Sequence, residues 1–241
     1  MIPLRDANPT RRFPVLTIAI IAACVVAFGW ELGVEANGGQ RALGQLFLDY
    51  GAVPARISLA LETGDFLSTA MLGILTSMFL HGGWLHLIGN MLYLWIFGNN
   101  IEDRFGALGF VAFYVLGGAV AALAQVAVDP TSEVPLVGAS GAISAVLGAY
   151  LVFFPHARVL TLVFLGFFYQ LLQVPALLVL GFWFILQLID GVATLGASTA
   201  AGGVAFFAHI GGFVAGFVVA IVIRAIRPGP PRGPSYRYGV G

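Results

Sequence analysis

Residues 136–150 read LVGASGAISAVLGAY. Two hydroxyls, Ser140 and Ser144, lie in a run otherwise as apolar as a lipid tail, and Ser140 stands between Gly138 and Gly141 where a helix would begin. Whether this is a membrane helix depends on the company it keeps. Of 241 residues, 59% are hydrophobic and only 9% charged, with a mean hydropathy of +0.96. Soluble domains carry about 25% charged residues. Near-uninterrupted apolar runs of about 17 residues or more read as a polytopic α-helical membrane protein. The strict alternation needed by a spanning barrel is absent from the sequence.

Working outward from 136–150, six spans are predicted: residues 14–30, 84–98, 107–128, 138–154, 174–189 and 204–226. The fold class is therefore all-α, a six-transmembrane-helix bundle in a lipid bilayer. A further apolar piece at 159–170, ahead of Pro175, is read as lying along the interface, because one straight helix from 159 to 189 would be too long for an ordinary bilayer. The stretch 31–83 contains ALGQLFLDY and DFLSTAMLGILTSMFL, which read as half-sunk interfacial helices in a long external loop. Residues 227–241, RPGPPRGPSYRYGVG, read as a disordered cytoplasmic tail, and residues 1–13 as a short cytoplasmic lead.

Orientation follows from arginine, since there is no lysine. With the N-terminus inside, Arg5, Arg11, Arg12, Arg104, Arg158, Arg224, Arg227, Arg232 and Arg237 fall on the cytoplasmic side, and only Arg41 and Arg56 fall outside. Both termini are expected in the cytoplasm, with a bacterial inner membrane as the location. Val34 and Ala36 fit a small-x-small cleavage pattern only loosely, so the first span is expected to be retained. The single cysteine, Cys24, rules out an intrachain disulfide and reads as a small core residue.

In this topology the second, fourth and sixth spans all enter from the outside. The second opens with His86 and Asn90, four apart and on one face; the fourth opens with Ser140; the sixth has His209 after a few residues. At ~1.5 Å per residue all four lie within roughly the first 10 Å of their helices. Histidine and asparagine are costly in lipid, which favours a functional site over passive packing. A hydroxyl becomes a nucleophile when a neutral imidazole takes its proton, and the resulting oxyanion requires donors. The backbone N–H of Ser140 at a helix start offers one, with His86 and Asn90 as others. Gly141, Ala145 and Gly148, facing Ala208, Gly212, Ala215 and Gly216, form small-residue surfaces whose close packing would bring Ser140 to His209.

GASG at 138–141, HGGWLHLIGNMLYLWIFGNNIEDRFG at 81–106 and AHIGGFVAGF at 208–217 together resemble the rhomboid family of intramembrane serine proteases, over roughly residues 75–225. The resemblance implies a six-helix rhomboid fold and a Ser–His dyad: Ser140 as nucleophile, His209 as general base, and His86, Asn90 and the Ser140 backbone as the oxyanion hole. It also implies membrane-anchored protein substrates cleaved in or near a transmembrane segment, and a fifth helix with a following loop, 190–203, that gates and caps the site. No cofactor, metal or nucleic-acid partner is expected, and the sequence does not set an oligomeric state.

Two features depart from the family pattern. LETGDFLSTA, at 61–70, lacks the Trp-Arg pair many relatives carry in the first loop. The position four residues after the nucleophile, a tyrosine stacked on the base in some relatives, is Ser144, which leaves His209 to be oriented by other neighbours. His81 is read as ordering its loop, Glu102–Arg104 as fixing the turn after the second span, and Gln125, Gln170, Gln173 and Gln187 as lining water or packing between helices. The alternatives to a protease are a rhomboid-like binding or chaperone protein without turnover, and a small transporter or channel. The last lacks support in the sequence, which shows no inverted repeat, broken-helix pair or ring of charge.

Overall fold

A computed structural model describes residues 1–165, 168–195 and 204–226 of the chain. Strand β1 (Ile2–Asp6) leads into α1 (Val15–Tyr50), then α2 (Pro54–Thr63) and α3 (Thr69–Thr76) with a 3₁₀ turn at Ser77–Phe79. Helix α4 (Trp84–Tyr93) runs through a π turn at Leu94–Gly98 into α5 (Asn99–Phe105). There follow α6 (Ala107–Val128), α7 (Ser140–Phe153), strands β2 (Arg158–Leu165) and β3 (Phe168–Pro175), α8 (Ala176–Thr194) and α9 (Phe206–Ile226).

Among the described residues, α1, α6, α8 and α9 are each long and apolar enough to cross a membrane. A fifth candidate crossing arises when Thr69–Phe79 and Trp84–Phe105, bent by 79° at the break between them, are taken together as one span. So one bent pair exists that the sequence did not reveal. Helix α7 is the short one, and its 14 residues at ~1.5 Å each cover ~21 Å of a hydrocarbon core ~30 Å thick. This set is compatible with the six spans of a multi-pass integral membrane protein.

A short helix is tolerated because α7 does not face lipid. Every residue from Ala142 to Tyr150 is buried, as expected of a helix apolar all round. Its neighbours approach at backbone distance through small residues. A side chain added at Gly216 would strike the Ala145 carbonyl, one at Gly212 the Gly141 carbonyl, and one at Gly148 the Phe213 carbonyl. On the α6 side, a Cβ at Gly117 would come within 2.5 Å of the Ala145 Cβ. These contacts lock α6, α7 and α9 into one unit by van der Waals packing, the principal attraction between helices in lipid.

The segment read as interfacial, 159–170, is neither a helix nor an extension of α8. It forms β2 and β3, paired antiparallel from Arg158↔Pro175 to Leu165↔Phe168, with β1 adding a third strand on β2 through Ile2↔Leu162 and Asp6↔Val159. The physical reason is composition: RVLTLVFL is rich in β-branched and aromatic residues, and β1 supplies hydrogen bonds that an isolated hairpin edge would lack. The helical class holds with this addition.

The N-terminal end of the bundle is a polar knot. Glu102 accepts the backbone N–H groups of Leu16 (2.9 Å) and Thr17 (2.8 Å) and the Thr17 hydroxyl (2.8 Å), capping α1 from another helix. The Glu102 carbonyl also accepts the Gly106 N–H at 2.8 Å, in the turn between α5 and α6. Asp103 accepts the Arg11 N–H at 3.2 Å, and Arg104 lies over the Phe153 ring at 5.0 Å. Asp6 accepts from the Tyr150 hydroxyl (2.7 Å) and the Asn100 amide (2.8 Å), fastening β1 to the bundle.

The stretch 31–83 is helical through most of its length. Helix α1 continues past its apolar half, breaks its helical dihedrals at Gly39 (φ 68°, ψ −171°), and resumes to Tyr50. This region is held largely by contacts to backbone groups. Ala52 and Leu136 exchange N–H···O bonds of 3.0 and 2.8 Å, and Gly73 packs so closely on Gly51 that a Cβ there would lie 2.5 Å from the Gly51 carbonyl oxygen.

Candidate active site

The chain that delivers Ser140 is clamped on both sides before the helix begins. Leu136 is bridged to Ala52, and the Gly138 N–H donates to the Ser77 carbonyl at 2.9 Å. Gly138 then adopts φ 125°, a conformation open only to glycine, and α7 starts at Ser140. Ser140 is thus the first residue of its helix, where backbone N–H groups have no partner four residues back and the helix dipole is positive.

His209 is the fourth residue of α9. Gln125 of α6 accepts the Ala208 N–H at 3.3 Å, a cap supplied across the helix interface that fixes the height of the first turn. The small-residue packing of α7 on α9 then brings the two polar groups together. The Ser140 Oγ lies 2.8 Å from His209 Nε2.

The opposite ring nitrogen, His209 Nδ1, lies 2.7 Å from the Gln187 Oε1 of α8. A carbonyl oxygen can only accept, so Nδ1 carries the proton and Nε2 is left with a lone pair directed at the Ser140 hydroxyl. One turn away on the same helix, Trp183 lies over the imidazole at a centroid distance of 6.0 Å and a tilt of 36°. Helix α8 therefore provides the orientation that some relatives obtain from a tyrosine on the serine helix. Ser144 turns instead to its own backbone, donating to the Ser140 carbonyl at 2.6 Å.

His86 is positioned on the other side of the serine. The Gly82 N–H donates to His86 Nδ1 at 3.3 Å, which assigns the proton to Nε2. That Nε2 reaches over Gly138, where an added Cβ would lie 2.6 Å from it and 3.5 Å from Ser140 Oγ. Asn90, one turn further along α4, is buried and its Nδ2 has no hydrogen-bond partner within the described residues. A helix-start amide and an imidazole N–H thus lie beside the serine, with the Asn90 carboxamide one turn on from His86.

His81 is fully buried and orders its loop: its N–H donates to Glu31 of α1 at 3.0 Å, its Nδ1 lies 3.1 Å from the Phe79 carbonyl, and its ring packs edge-on against His86 at 5.3 Å. Neither Glu31 nor Gln187 was singled out as a site residue from the sequence. Glu31 sits at the end of an apolar run and Gln187 is one of four similar glutamines, so no local spacing marked them. His156 is an exposed residue of the turn after α7, away from the pair. Of the loop 190–203 expected to cap the site, residues 196–203 lie outside the described residues, as does the tail 227–241.

Comparison with known proteins matches residues 68–226 to the Rhomboid domain family model. Among curated proteins, the chain is 40% identical over 78 residues to "RHOMBOID-like protein 5" of Arabidopsis thaliana (32% of this chain, 25% of the relative). It is 35% identical over 100 residues to "Rhomboid protein 1, mitochondrial" of Saccharomyces cerevisiae (40% and 29%). It is 31% identical over 156 residues to "Rhomboid protease GluP" of Bacillus subtilis (65% and 27%). The matched stretches make up 25–29% of these relatives' own lengths.

Proposed function

Given that the chain belongs to the rhomboid family, we propose that it is an intramembrane serine endopeptidase working through a Ser140–His209 dyad. The observation that carries this reading is the 2.8 Å approach of Ser140 Oγ to an imidazole nitrogen that holds a lone pair. In the proposed cycle Ser140 Oγ attacks the scissile carbonyl carbon while its proton passes to His209 Nε2. The negative charge gathers on the carbonyl oxygen, which takes the Ser140 N–H, His86 Nε2–H and Asn90 Nδ2–H. His209 returns the proton to the leaving amine as the C–N bond breaks. Water, deprotonated by the same imidazole, then attacks the acyl ester and releases the carboxyl product and free serine.

Membrane-anchored proteins are the proposed substrates. Ser140 opens a helix ~9 Å shorter than the hydrocarbon thickness, which supports a nucleophile that meets peptide bonds in or near a transmembrane segment. With both termini in the cytoplasm of a bacterial cell, the site opens outward.

Fluorophosphonate labelling of the purified protein tests the proposal. Wild-type protein should be labelled, Ser140→Ala should not, and His209→Ala should lose cleavage of a reporter membrane substrate while remaining folded. Absence of labelling in folded wild-type protein would favour a rhomboid-like binding protein without turnover; cleavage persisting in His209→Ala would remove the assigned base.

A further inference from the structure

Resting on the dyad reading, we propose that Gln187 is a positioning residue: it holds His209 in the tautomer that accepts the serine proton, and it does so only while the outer half of α8 lies against α9. A neutral amide can present either an acceptor or a donor; the acceptor Oε1 faces Nδ1 at 2.7 Å. The opposite amide face would donate to Nδ1, moving the ring proton to Nε2 and leaving no lone pair for Ser140. Orientation of this one amide therefore selects between a competent and an incompetent base.

The link to α8 comes from how that helix is anchored. Its inner end is fixed, with the Ala176 N–H donating to the Ala157 carbonyl (2.8 Å), the Leu177 N–H to the Pro155 carbonyl (3.0 Å), and Ala176, Val179 and Leu180 buried. Beyond Leu180, the one buried residue is Gly191, while Ile185, Leu186, Leu188, Ile189 and Val192 are exposed. Gly191 abuts α9, where an added Cβ would lie 3.3 Å from the Phe206 Cβ and 3.3 Å from Ile210. Gln187 lies between the Phe184 ring, stacked on Phe213 of α9 at 4.3 Å, and Gly191, so an outward displacement of α8 that parts these contacts stretches its hydrogen bond beyond useful range. Catalytic competence is then set by the position of a helix that carries none of the reacting atoms.

The test compares Gln187→Leu and Gln187→Glu with wild type in proteoliposomes, reading fluorophosphonate labelling rate and the pH profile of reporter cleavage. Gln187→Leu, which keeps the bulk and removes the acceptor, should slow both by roughly tenfold or more, a part of the ~10²–10⁴-fold that acid–base catalysis supplies. Gln187→Glu, which restores an acceptor and adds charge, should recover cleavage and move the acid limb of the profile to higher pH. A Gly191→Cys/Phe206→Cys pair, oxidised to hold α8 on α9, should label at least as fast as when reduced. Wild-type rates in Gln187→Leu, or a Gln187→Glu profile superimposed on wild type, would overturn the positioning role; slower labelling on oxidation would overturn the link to α8. Failure of wild type itself to label through Ser140 would instead strike the protease reading.

Discussion

At the scale of single residues, the site depends on groups that have no freedom to be anything else. Gly138 combines φ 125° with a His86 ring where its side chain would be. Gly138→Ala is therefore expected to abolish reporter cleavage by displacing His86 or Ser140, with a backbone cost of about 1–3 kcal/mol visible in thermal unfolding. His86→Ala should lower kcat by about 10²–10³-fold with little change in KM, since its N–H is called on chiefly as charge develops. Ser140, His86, Asn90 and His209 were legible as polar types because lipid tolerates so few of them. Gln187 was not: it lies 22 positions from His209 with an entire loop between, and only the docking of α8 gives it meaning.

At the scale of elements, the small-residue faces of α7 and α9 set the distance between Ser140 and His209. Gly216→Ala places a methyl group against the Ala145 carbonyl. The expected result is a loss of about 1–3 kcal/mol of stability and a loss of fluorophosphonate labelling. The strand β1 makes a different prediction. Burial pushes the Asp6 carboxyl above its ordinary 3.8, against the lowering effect of the Tyr150 and Asn100 hydrogen bonds. A carboxyl raised on folding adds stability that is complete below its unfolded pKa and is lost as pH rises through the folded one. Unfolding in detergent should thus show stability falling as pH climbs above about 3.8. Asp6→Asn, which keeps an acceptor for Tyr150, should flatten that slope. The stripes of glycine and alanine on α7 and α9 were readable from spacing alone, whereas the β2–β3 hairpin was not. Its apolar run matches a membrane segment in composition, and its partner strand lies more than 150 residues earlier at Ile2–Asp6.

For the whole molecule, the arginine distribution makes a prediction about sidedness. Cys24 is completely buried, so introduced cysteines can be read against a silent background. Thr131→Cys, in the exposed approach to α7, should react with an impermeant maleimide on intact cells, and His156→Cys, in the exposed turn after α7, only after permeabilisation. The reverse pattern would invert the proposed orientation. Helix α7, of 14 residues, is shorter than α1, α6, α8 and α9, each of which is long and apolar enough to cross a membrane, and its first residue is Ser140.

The sequence by itself determined the membrane class, the places where helices run, and the few polar side chains that a lipid environment makes conspicuous, because hydropathy and residue type act locally along the chain. Only the tertiary structure decided which nitrogens of His86 and His209 carry the proton, that a glutamate from one helix caps another, that the segment after α7 pairs into a sheet, and that α8 orients His209. Each of these depends on hydrogen bonds between groups far apart in sequence, and such bonds exist only once the small-residue surfaces have brought their helices into contact.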